Sequence, residues 1–244
     1  SALKRQLLAA KRSIADRRAG RGIETWTHTA LGSRRLKALE ISPDAAVQLE
    51  IQRALYELTG ETPAIFEPVQ LRHFAGGRMD FIVPVTAESL EAIRAMGDPG
   101  TNQYHLARQI CRAAREHREL VLRTRNGRGL IAHLLALNAI QAQDAARHGT
   151  HLWHRAVLAR LDKGLQALFR QDVLAANGSG WHGVAAFGPI GPRPDMVSIG
   201  YLIKPEGVTF DLRADGRFGD RARELRLALE KALAGIDRAL ATLM

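Results

Sequence analysis

Cysteine is nearly absent. The single one, Cys111, excludes an intrachain disulfide and any zinc site built from several thiolates, and it fits a reducing compartment. No run of about 18 apolar residues occurs, so no membrane span is expected. The opening stretch SALKRQLLAAKRSIADRRAG alternates basic and apolar residues without the apolar core of a secretion signal. The expectation is a soluble, cytoplasmic protein with no membrane partner. Aromatic residues are scarce at 5%, which disfavours recognition by base stacking and hence RNA or single strands. There is no Gly-x-Ser-x-Gly elbow, no glycine-rich loop ending in Gly-Lys-Ser/Thr, no Glu-x-Lys on a strand-like run, and no repeat of fixed period.

Lysine is scarce as well: 29 of the 35 basic residues are arginine, in a chain of net charge +10. Arginine forks onto phosphates and guanine edges, and a balance this basic favours polyanionic partners. The charge is also polarised. Residues 1–40 carry +7 and residues 101–131 carry +5, whereas residues 41–100 carry −5. A chain that was basic only for solubility would scatter its positive residues.

Leu3, Leu7, Ala10 and Ile14 recur at helical spacing among basic residues, giving an amphipathic basic helix up to Gly20, and 21–32 reads as a loop carrying Trp26. Ser42, Pro43 and Asp44 form a strong helix start, with Val47, Ile51, Leu55 and Leu58 as its inner stripe and Gly60 as its stop. Two short runs rich in Ile, Val and Phe, joined at Ala75-Gly76-Gly77, signal a hairpin over about 63–85. Thr86 caps a short helix. Helices are expected over 102–121, 128–147 and 151–175, then strands at 184–187, 196–203 and 208–214, the last two joined across Lys204 to Gly207. Asp220 caps a C-terminal helix striped by Leu225, Leu229, Leu233, Ile236 and Leu240. The fold class is α+β: a mainly antiparallel sheet from two strand groups (about 63–85 and 183–213) with a long C-terminal helix. Residues 1–100 and 177–244 form its core, and residues 101–176 an inserted helical lobe.

The leading functional expectation is a non-enzymatic protein that grips duplex DNA through phosphates. One wall of its groove is the N-terminal segment, with Lys4, Arg5, Lys11, Arg12, Arg17, Arg18, Arg21, Arg34 and Arg35. The other holds Arg112, Arg115, Arg123, Arg125 and Arg128, the last three around the turn RTRNGRG, where Asn126 would cap the next helix and its free N–H groups would meet an anion. One alternative is a metal-dependent nuclease using Asp80 with Glu67 or Asp211, acids on strand-like runs. Another is an assembly component that docks an acidic partner, with the C-terminal helix packing on a second copy as a homodimer. His148, His151 and His154 sit at three-residue spacing, which splays them around a helix, so no metal or other cofactor is expected.

Overall fold

The computed structural model of the chain describes residues 2–18, 22–148, 172–178, 183–189, 196–214, 219 and 221–244. Among them, seven α-helices accompany one six-stranded sheet, a mixed α/β build. The order is α1 (Ala2–Arg18), β1 (Gly22–His28), α2 (Ser33–Ala38), α3 (Pro43–Thr59), β2 (Ile65–Leu71), β3 (Arg78–Ile82), α4 (Ala87–Gly97), α5 (Gln103–Arg123), α6 (Ile131–His148), β4 (Val173–Asn177), β5 (Val197–Ile203), β6 (Val208–Ala214) and α7 (Ala222–Leu240).

The helix signals act as the residue chemistry dictates. Ser42 accepts from the Ala45 N–H, Pro43 opens α3, and Gly60 ends it in the left-handed conformation at φ 75°. Thr86 and Ser89 cap α4 reciprocally. On α7, Leu225, Leu229, Leu233, Ile236 and Leu240 are all buried in the chain's own core. That stripe is therefore not available to a second copy, which corrects the homodimer expectation. The expected cap Asp220 lies outside the described residues, and Arg221, at the start of α7, makes no side-chain cap bond.

The sheet runs β1-β6-β5-β4-β2-β3. Its outer junctions are antiparallel (β1 with β6, β6 with β5, β2 with β3), and the two central ones, β5 with β4 and β4 with β2, are parallel. Both expected hairpins form: β2–β3 turns through Gly76 and Gly77 at positive φ, and β5–β6 turns with the Lys204 N–H donating to the Gly207 carbonyl at 2.8 Å.

Three sequence expectations are corrected. Residues 22–28 are an edge strand rather than a loop; Trp26 is buried and stacks on Phe210 at 5.0 Å. Residues 173–177 are the central strand β4, not the end of a helix, whose remaining extent, 151–171, lies outside the described residues. A strand flanked on both sides reads as an unbroken apolar run, here Val-Leu-Ala-Ala, and alanine makes such a run look helical. Residues 184–187 form no strand. They cover the sheet instead, with the Phe187 carbonyl resting on Gly200 of β5.

One sheet face and the inner side of α3 and α7 form the main core, with Val47, Ile51, Leu55, Ile65, Val173, Ile199, Tyr201, Phe210, Leu225 and Leu229. A second cluster joins the other side of α3 to α4, α5 and the end of α7. Helix α3 is thus clamped on both sides.

A side chain at Gly200 would overlap the Phe187 carbonyl, and backbone has nowhere to retreat. Gly200→Ala is expected to cost about 1–3 kcal/mol in urea unfolding; a loss under about 0.5 kcal/mol would show that the 183–189 segment does not rest on β5.

Candidate functional site

Three adjacent strands present a polar residue to the α3 side, on β4 and β5 near the carboxyl end. Glu67 lies on β2, Asn177 on β4 and Tyr201 on β5, the last two directly paired in register. Crevices at the carboxyl ends of parallel strands are where α/β sheets bind ligands. Here the first turn of α3 projects Asp44 into the same place. Asn177 Nδ2 donates to Asp44 Oδ1 at 2.7 Å, and the Tyr201 hydroxyl donates to the same oxygen at 2.9 Å. Tyr201 accepts in turn from Gln48 Nε2 at 2.8 Å, one turn further along α3. The positive end of the α3 dipole adds to these donors in holding a carboxylate.

Helix α5 supplies the other side. His117 Nε2 meets Glu67 Oε2 at 2.8 Å, both side chains 5% exposed. Burial and the nearby Asp44 carboxylate push the Glu67 carboxyl up to about 7, against the pull of the His117 hydrogen bond and charge. Burial alone would lower His117, but Glu67 and Asp44 outweigh it and leave the imidazole raised. Burial, with the two carboxyls beside it, raises Tyr201 well above the ordinary phenol range. The result is a hydrogen-bonded line from His117 through Glu67 and Asp44 to Tyr201, in which Glu67, His117 and Tyr201 all hold their protons to higher pH than they would in water. Donor atoms of Asp44, Glu67 and His117 lie within 4.8 Å of one another, the spacing of a metal site. Those atoms are already committed to one another and to Asn177 and Tyr201, so shared protons account for the cluster without an ion.

This line opens into a cleft of about 760 Å³ between β2, the end of β4 and the end of α5, lined by Asp44, Glu67, Val69, Val121, Arg125 and Phe187. A second hollow of about 670 Å³ lies at the other side of the α3 start, with Ser42, Cys111, Lys37, Arg115 and Arg118 on its wall. Burial raises the Cys111 thiol, against the pull of Arg115, so it is no activated nucleophile.

The basic residues singled out from the sequence do not converge on one groove. Lys4, Arg5, Lys11 and Arg12 lie along the exposed α1, no residue of which enters a core cluster. The side chains of Arg17 and Arg18, and the whole of Arg21, lie outside the described residues. Arg34 pairs with Glu206, Arg35 with Asp237 at 2.6 Å, Arg112 with Glu91 at 3.5 Å and Arg123 with Glu116 at 2.8 Å. Arg128 is exposed in the turn. Only Arg115 and Arg125 line the two hollows. The turn itself is no anion loop. Asp80 of β3, not Asn126, caps α6: its Oδ1 accepts from the Ala132 N–H at 2.8 Å and from the Phe81 N–H at 2.7 Å. Gly127 takes the left-handed conformation against Phe74, and Gly129 packs on the Asp80 carboxylate.

The nuclease constellation also dissolves. Asp80 is a helix cap, and Asp211 pairs with Arg213 at 2.9 Å and accepts from Thr25. Among the described residues, neither belongs to a metal-type cluster.

The family model for choline/carnitine O-acyltransferases matches residues 1–231. The chain belongs to the choline/carnitine O-acyltransferase family. It is similar to carnitine O-acetyltransferase of Columba livia, 29% identical over 198 residues, covering 81% of this chain and 30% of that protein. It is also similar to peroxisomal carnitine O-octanoyltransferase of Bos taurus, 27% identical over 119 residues, covering 49% of this chain and 19% of that protein. The chain thus spans less than a third of the length of these relatives. Among solved structures, it is similar to a wax ester synthase/diacylglycerol acyltransferase from Marinobacter aquaeolei VT8, at a TM-score of 0.40 and 13% identity over 91% of this chain and 49% of the other. It is similar also to the epimerization domain of the third module of tyrocidine synthetase B, at 0.46 and 13% over 91% and 49%. No helix among the described residues is long and apolar enough to cross a membrane.

Membership of the acyltransferase family overturns the expectation of a DNA-binding protein and, with it, DNA as the partner. The sequence reading missed Asp44, Asn177, His117 and Tyr201 as site residues. A signal existed for two acids or bases: Glu67 sits within an apolar strand, and His117 continues the buried α5 stripe Leu106, Ile110, Ala113 and Ala114. A charged group on an inward face is the anomaly worth pursuing.

Two outcomes test this assignment of roles. Asp80→Ala should lower stability by about 1–3 kcal/mol through loss of the α6 cap, read by thermal unfolding. Glu67 holds a proton in the folded chain up to about 7, whereas unfolded it would release it near the ordinary carboxyl value of 4.5. Its contribution is therefore complete below that lower value and lost as pH rises through the upper one. Relative to Glu67→Gln, the wild-type chain should lose stability across this window; parallel curves would show that Glu67 ionises as in water.

Proposed function

We propose that this chain forms the acyl-donor-binding part of an O-acyltransferase, with the donor of the acyl-CoA class and the acceptor a small alcohol of the choline or carnitine type. The observation that carries the reading is the placement of the two hollows along α5. Cys111, Arg115 and Arg118 face the basic one and Val121 faces the cleft, at steps of three to four residues along α5, with Arg125 in the turn after the helix also lining the cleft. From Cys111 to Val121 the helix rises about 15 Å. An extended donor with phosphates at one end and an acyl thioester at the other matches a track with cations at its start and a partly apolar, hydrogen-bonding cleft at its end.

In such a transfer, the acceptor hydroxyl loses its proton, its oxygen bonds to the thioester carbonyl carbon, and the carbon–sulfur bond breaks to release the thiol. The residues described here bind and orient. Lys37, Arg115 and Arg118 hold phosphate charge. Asp44, with its Oδ1 fixed by Asn177 and Tyr201, accepts from N–H or O–H groups of the ligand, and Val69, Val121 and Phe187 exclude water beside them.

The reading is tested by calorimetry with CoA and with pantetheine, which lacks the phosphates. Changing Lys37, Arg115 and Arg118 together to alanine should weaken CoA binding by about tenfold or more and flatten its salt dependence, leaving pantetheine unaffected. Equal losses for both ligands, or none for CoA, would remove the phosphates from that hollow.

A further inference from the structure

Binding and transfer leave His117 without a role. It lies too deep to meet a ligand, and among the described residues its buried Nδ1 finds no hydrogen-bond partner. A buried polar nitrogen without a partner is destabilising, so the contact made by the other ring nitrogen has to justify the residue. That contact is the 2.8 Å bond from Nε2 to Glu67 Oε2. Glu67 is also hydrogen-bonded to Asp44, and Asp44 lies on the cleft wall. Asp44 Oδ1 is held by Asn177 and Tyr201.

The geometry points to His117 as a positioning residue: it holds the Glu67 carboxyl group on Asp44 and so fixes the acceptor that Asp44 presents to a hydrogen-bond donor of the ligand. Below about 7 the buried Glu67 carboxyl keeps its proton, and in that form it is a donor to Asp44. Without the imidazole, the Glu67 carboxyl is free to turn into the cleft and compete for the ligand's donor. The groups that face Glu67 are Asp44 on α3, His117 on α5, Tyr201 on β5, and Arg72, His73 and Arg125 along the cleft. Of these, His117 pulls the Glu67 carboxyl down, so its loss moves Glu67 upward.

The inference rests on the acyl-donor reading only for the choice of probe. The full protein, labelled with ¹³C at glutamate carboxyl groups, is titrated by NMR, and CoA binding is measured by calorimetry. His117→Gln places a donor nitrogen at similar reach, whereas His117→Ala removes it. The alanine variant should bind CoA about tenfold more weakly and the glutamine variant within about threefold of wild type. The Glu67 midpoint, about 7 in the wild-type chain, should rise in both. Should His117→Ala fail to fold, Glu67→Gln serves: it keeps the shape of the neutral acid, and CoA affinity should become flat across the wild-type Glu67 midpoint. A glutamine variant no better than alanine, an unmoved Glu67 midpoint, or an affinity in Glu67→Gln that still follows the wild-type pH curve would overturn the inference. If the wild-type protein binds no CoA, the donor reading fails, and the Glu67 midpoint in His117→Gln alone decides the role of His117.

Discussion

The placement of every group in the cleft depends on one constraint, the double burial of α3. Its Val47, Ile51 and Leu55 face the sheet, while Ala45, Ala46 and Leu49 face α4, α5 and the end of α7. Interiors packed to crystal-like density transmit small displacements instead of absorbing them. The first turn of α3 therefore cannot shift without disturbing two apolar clusters. Asp44 and Gln48 are carried on that rigid element, and the strand residues Asn177 and Tyr201 are set against it by sheet register. Helix α5 adds His117 from the opposite side. The polar line at the cleft is thus fixed by packing that is almost wholly apolar.

The same view explains why net charge misled. An excess of positive residues describes the field around a protein, which bears on solubility and encounter, and leaves the chemistry of any site open. Four of the arginines expected to grip phosphate are paired with carboxylates, and such exposed pairs contribute at most about 1 kcal/mol each. The acidic region 41–100 was the more informative one, because its Asp44 and Glu67 face inward where a carboxyl group needs a reason.

Legibility followed the range of the interaction that decides each feature. Caps and tight turns depend on a few neighbouring residues, and Ser42, Thr86, Gly60 and the Gly76-Gly77 turn could all be read directly. Strand β4 was hidden because Val-Leu-Ala-Ala has no alternation once both faces are covered, and β1 because its partner β6 lies almost two hundred residues away. Asp80 was noticed as a strand acid, but its role depends on Ala132, which only the hairpin brings near. The cleft belongs to the same class: its members come from α3, β2, α5, β4 and β5, and no spacing in the chain encodes that meeting.

A buried line of ionisable groups needs energetic justification, since an apolar set of the same volume would often be as stable. Full satisfaction is one route, and it is met at Asp44 and Tyr201 but not at His117, whose second nitrogen finds no partner among the described residues. Stability alone would favour a leucine at that place on α5, continuous with Ile110, Ala113 and Ala114. A histidine retained there against its desolvation is better explained by what it does to Glu67 than by what it adds to the core. Glu67 lies between the imidazole and the cleft, so His117 acts on a ligand through Glu67. A rigid scaffold that positions the Glu67 and Asp44 carboxyl groups gives the cleft an acceptor of fixed geometry. That is a constraint on geometry, which is why the apolar clusters around α3 and the polar line beside it belong to one structural argument.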